Sequence, residues 1–144
     1  MNKEDLLGDV KILSSTSKED NLEDILYELA ETIEKDLHCF VYLESDDCCF
    51  IPYNQHDDIV GEINIDGSLP NIERLIALAH EVGHLLDNSD STNTVQIELN
   101  AWHIGYKYML MESVVIDSEE YFDKMYKCLS EYIDKGEEKW TSIQ

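Results

Sequence analysis

The chain is poor in basic side chains: ten Lys and Arg stand against 32 Asp and Glu, for a formal charge of −22 over 144 residues. That imbalance excludes a surface built to follow nucleic-acid phosphates, because the electrostatic contribution that dominates such binding would be repulsive. A basic protein partner is the natural complement. No Cys-x-x-C pair occurs among Cys39, Cys48, Cys49 and Cys128, and reduced, structural thiols are the simplest reading. Nowhere does the chain approach the roughly 20 consecutive apolar residues of a membrane span. The opening MNKEDLLGDV lacks the apolar run of a signal peptide, so a cytoplasmic protein free of disulfides and of membrane contact is expected. Repeats, linkers and composition breaks are also missing, which predicts one domain over 1–144 with a loose polar tail at 136–144. The apolar fraction of 43% supports a core without covalent staples.

What is present is concentrated between Leu69 and Asp87, LPNIERLIALAHEVGHLLD. His80 and His84 are four apart, so on a helix they stand one turn above each other and can reach one metal ion from the same side. Glu81 points to a different azimuth. It is placed to take a proton from a water that the ion polarises, which is the logic of a zinc hydrolase with one zinc per chain. Ile72, Leu75, Ile76, Ala79, Val82, Gly83 and Leu86 fall on one apolar face with the histidines along its border. Pro70 suits a first helical position, and Asp87-Asn88-Ser89-Asp90 reads as the stop.

Around this helix the periodicity predicts an α+β fold. Residues 4–13 are weakly amphipathic and read as a short helix. Leu22, Ile25, Leu26, Leu29, Ile33 and Leu37 form a helical stripe over Lys18 to Leu37. The period then changes to two in 39–43, 48–51 and 59–65, which read as three short, mostly antiparallel strands joined by tight turns. The third alternates polar and apolar residues. Ile63, Asn64 and Ile65 within it are assigned to an exposed edge able to pair with a substrate strand, although an interior strand with one wet face alternates in the same way. Later helices are expected from Val95 to Met111 and from about Asp117 to Lys135, the last carrying Phe122, Met125, Leu129 and Tyr132 on one side.

Catalytic zinc generally has three protein ligands. Glu98 is the leading third donor, since Ala101, Trp102, Gly105 and Met109 lie within about 60° of it on the helical wheel. A carboxylate in the middle of an apolar face requires a partner. Ala101 and Gly105 would let the two helices come close enough to share an ion. Asp90 is the rival ligand, six residues beyond His84 at the metzincin spacing, but Asp87 occupies the turn position where metzincins use glycine. Asp87 is instead expected to accept a histidine N–H from outside the ligand set. Candidates for an additional donor to a developing oxyanion are His103, Tyr106, Tyr53 and His56. His103, about 140° from Glu98, reads as a surface residue.

Asn71-Ile72-Glu73-Arg74 leading into Leu78-Ala79-His80-Glu81-Val82-Gly83-His84, then Glu98-Leu99-Asn100-Ala101-Trp102, resembles the ImmA/IrrE-type metallopeptidases over roughly Asp58 to Met111. The resemblance implies a zincin-like fold, in which a small sheet packs on the HExxH helix beside a second ligand-bearing helix and flanking terminal helices. It implies His80, His84 and Glu98 as zinc ligands, Glu81 as base, and a DNA-binding repressor as the protein cleaved. The segment 85–97 is shorter than is usual in that family, and no second carboxylate adjoins Glu98. An acidic binding or DNA-mimic protein on an inactive protease scaffold is the alternative.

Overall fold

The computed structural model describes residues 11–54 and 57–134. Their order is β1 (Ile12–Leu13), α1 (Glu19–Leu37), β2 (Phe40–Ser45), β3 (Cys49–Pro52), β4 (Gly61–Asp66), α2 (Asn71–Leu86), α3 (Thr94–Met111), β5 (Val115–Ile116) and α4 (Ser118–Asp134). The architecture is α+β, four helices around a three-stranded mixed sheet, with β1 and β5 forming a separate parallel pair. Most of the helix expected over 4–13 lies outside the described residues, as does the tail at 136–144. Ile12 and Leu13, the last expected helical residues, are extended instead: they pair with Val115 and Ile116, a partner more than 100 positions away that local periodicity does not report.

The helical stripes behave as their spacing predicts. Leu22, Leu26, Leu29 and Ile33 of α1 are buried, and α1 lies against β2, where Glu34 accepts the Val41 N–H at 2.9 Å. Pro70 stands one position earlier than expected, as the residue before α2, and its carbonyl accepts the Arg74 N–H. Asn93 caps α3 by accepting the Gln96 N–H at 3.0 Å, satisfying one of the amides that a helix start leaves free. The Arg74 guanidinium is buried and donates to the Leu43 carbonyl, to Glu44 and to Asn71, fastening α2 to the end of β2.

The sheet corrects the expected topology. Strand order is β2-β4-β3: β4 runs parallel to β2 and antiparallel to β3. Ser45 ends opposite Asp66 while Cys49 starts opposite Asn64 on the other side, so the link 46–48 steps across the end of β4 and turns no hairpin. Ile63, Asn64 and Ile65 therefore lie on the central strand and form no edge. Ile63 and Ile65 are fully buried under the helices, and Asn64 is committed to Ser45 and Glu62. Polar–apolar alternation arises here from one wet face of an interior strand, because side-chain period reports faces and carries no information on strand neighbours.

One core cluster joins these elements, with Trp102, Tyr121, Ile63, Leu75 and Met109 among its large buried side chains. Among the described residues, no helix is long and apolar enough to cross a membrane.

Candidate metal centre

Helices α2 and α3 approach so closely that only glycine fits at two points. A Cβ on Gly83 would stand 1.8 Å from the Ala101 carbonyl oxygen, and a Cβ on Gly105 would stand 1.9 Å from that of Ala79. Gly83 adjoins His84, Ala79 adjoins His80, and Ala101 follows Glu98 by less than a turn. The small residues thus bring two histidines of one helix face to face with a carboxylate of the next.

The resulting contacts are short. His80 Nε2 lies 2.9 Å from Glu98 Oε1, His84 Nε2 lies 3.0 Å from Glu98 Oε2, and the two Nε2 atoms are 3.1 Å apart. Hydrogen bonds cannot satisfy all three contacts. If each ring nitrogen turns its one proton to Glu98, the two N–H groups oppose each other; if one donates to its neighbour, that neighbour has no proton left for the carboxylate. A cation in the middle accepts a lone pair from every group at once. Tetrahedral zinc with bonds of about 2.0–2.1 Å sets its donors roughly 3.3 Å apart, so these atoms need to part by only a few tenths of an ångström. Imidazole nitrogens and a carboxylate are also donors that zinc prefers. Among the described residues, His80, His84 and Glu98 are the group able to hold a metal ion.

Trp102 completes the mount. Its ring stacks on His80 with centroids 4.2 Å apart and 14° between planes, and its carbonyl accepts the Tyr121 hydroxyl of α4. Burial alone would raise the Glu98 carboxyl, yet hydrogen bonds and charge from His80 and His84 outweigh it and hold the group down at about 2. Burial lowers His84, but its bond to Glu98 and the charges of Glu98, Glu81 and Asp87 leave it raised. Glu81 is buried beside the cluster, its Oε2 3.6 Å from His80 Nδ1. There burial prevails over the nearby histidines and raises its pKa, toward the range in which a carboxylate can both take up and return a proton.

These groups open into a cleft of about 380 Å³ lined by Cys48, Cys49, Phe50, His80, Glu81, His84, Glu98 and Tyr132. The other expected residues are elsewhere. Asp90 is exposed on the loop after α2 and is not part of the cluster. Asp87 Oδ1 accepts the Ser89 N–H, closing the turn, and acts on His84 through charge. Tyr106 donates to the Ile116 carbonyl, Tyr53 donates to Glu62 on the sheet, and His103 is exposed against Phe122. None of these three lines the cleft. His56 lies outside the described residues. Tyr132 lines the cleft without having been among the expected donors, although it ends the apolar stripe of α4: the stripe shows that it turns inward, while its arrival at the cleft depends on the docking of α4. Cys49 and Phe50 reach the rim on β3, the sheet edge nearest α2, whereas Cys48, expected to begin that strand, lies in the link just before it.

Comparison of the chain with protein-family models, with curated proteins and with solved structures finds no match.

Proposed function

We propose that the chain is a zinc-dependent endopeptidase with a zincin-like fold of ImmA/IrrE type, using His80, His84 and Glu98 as ligands of one zinc. The observation that carries this reading is the set of three contacts of 2.9, 3.0 and 3.1 Å that join His80 Nε2, His84 Nε2 and the two Glu98 oxygens, beside a buried glutamate. Zinc bound there would polarise the scissile carbonyl and make a water nucleophilic near neutral pH.

The chain's own groups supply the remaining steps. Glu81 takes the proton of the attacking water and passes it to the leaving amine nitrogen, a double role that suits a carboxyl raised by burial. Trp102 and Glu98 keep the His80 ring in one orientation. Tyr132 lines the cleft, and to its hydroxyl we assign donation to the oxyanion that develops on the substrate carbonyl; loss of turnover in Tyr132→Phe at intact zinc content is the check. Substrate adds as a strand to the outer edge of β3, since β4 is enclosed between its neighbours and Glu34 already occupies an edge amide of β2.

The substrate is a basic protein such as a DNA-binding repressor, the class implied by the motif resemblance and the one that a charge of −22 would steer toward the cleft. Glu81→Gln tests the enzyme reading. It is expected to keep zinc and partner binding while cleavage falls by at least about 100-fold, the size of a lost general base. Partner binding in wild type without any cleavage would instead favour the acidic sequestering protein.

A further inference from the structure

On the face of the sheet turned away from the helices, β2 presents Phe40 and Tyr42, β3 presents Ile51, and Val60 precedes β4. These side chains are 40%, 46%, 45% and 42% exposed respectively. The Phe40 ring lies 6.2 Å from that of Tyr42 and 6.4 Å from that of Tyr53, with both pairs tilted. Registered between β2 and β3, opposite both Phe40 and Ile51, is Glu62. Its carboxylate accepts the Tyr53 hydroxyl and the Asn64 amide, each at 2.8 Å. Those bonds hold it below the usual carboxylate range. Among the described residues, ion pairs with Lys or Arg are made by Glu44 and Glu73 and not by Glu62.

A fixed anion bordered by tilted aromatic rings is the chemistry that recognises an organic cation: the carboxylate neutralises it and the ring faces attract it at centroid distances up to about 6 Å. Guanidinium meets this combination best, being planar enough to stack on a ring while its N–H fork reaches a carboxylate. We propose that Phe40, Tyr42 and Tyr53, around Glu62, form a docking site for an arginine side chain of a basic polypeptide. The site is separate from the metal cleft and is independent of the protease reading, because occupancy is measured without catalysis.

The full chain is titrated by calorimetry with acetyl-tetra-arginine amide, with its tetra-lysine counterpart and with neutral tetra-citrulline. Tetra-arginine is expected to bind tightest and tetra-citrulline not measurably. Glu62→Gln, which keeps the oxygen that accepts from Tyr53, and Phe40→Leu, which keeps apolar bulk without a ring, are each expected to weaken tetra-arginine about tenfold. Glu23→Gln, an equal loss of charge on the exposed face of α1, stays within about twofold, as expected for a remote surface charge in salt. Circular dichroism confirms that each variant is folded. Equal weakening in Glu23→Gln and Glu62→Gln would assign binding to diffuse charge and overturn the site. Full affinity in Phe40→Leu, or tetra-lysine binding as tightly as tetra-arginine, would overturn its chemistry.

Discussion

Trp102 lies flat on His80, their centroids 4.2 Å apart and their planes 14° from parallel. The indole is 2% exposed, so the same side chain is both core filler and the wall that sets one ligand's orientation. Trp102→Leu is expected to lower stability by about 3 kcal/mol through the cavity it leaves. Zinc affinity is expected to fall about tenfold through a freed imidazole, the scale of losing a group that orients a ligand. Chemical denaturation of the EDTA-treated chain measures the first effect and competition with a chromophoric chelator the second. Unchanged zinc affinity in a destabilised variant would restrict Trp102 to packing.

The contact between Gly83 and Ala101 leads to a second expectation. Alanine is favoured over glycine within a helix by about 1 kcal/mol, so Gly83→Ala on a free helix face would stabilise. Here the new methyl would meet a backbone carbonyl at 1.8 Å, and overpacking of this kind costs typically 1–3 kcal/mol or more. The clash therefore prevails, and Gly83→Ala is expected to unfold at lower denaturant and bind zinc more weakly. Stabilisation by this substitution would contradict the close helix pair.

The pH response of the chain without metal follows from the same cluster. His84 is raised above its ordinary 6.5, so its contribution is fully present below that pH and is lost as pH rises through the raised value. Glu81, raised from 4.5 by burial, acts in the same direction from a lower pH. Glu98, held at about 2 against an ordinary 4.5, contributes above 4.5 and loses this as pH falls toward 2. Melting temperature of the EDTA-treated chain is expected to decline from pH 6 to pH 8 on account of His84. Zinc competes with protons for the imidazoles, so the gain in melting temperature on adding zinc is expected to grow over that interval. A gain that shrinks with rising pH would contradict histidine ligation.

How far the sequence reaches is visible residue by residue. His80, His84 and Glu98 could be brought together on paper because each lies on a helix whose period is dense in the sequence, and Ala101 and Gly105 announced the close approach. Strand neighbours were not legible. The alternation in 59–65 fits an edge or an interior strand equally, and a three-residue link that normally signals a hairpin here passes across β4. Which hydroxyl reaches the cleft was illegible for a related reason: Tyr106 and Tyr53 face other partners, and Tyr132 arrives there only through the docking of α4. Contacts within one helix follow from spacing, whereas contacts between elements depend on packing that spacing does not encode.

The central claim is the ligand set, and zinc content measured by atomic absorption on purified wild type, Glu98→Ala and Asp90→Ala addresses it most directly. One zinc per chain in wild type and Asp90→Ala, with little or none in Glu98→Ala, is the predicted result. Full zinc in Glu98→Ala together with its loss in Asp90→Ala would contradict the account.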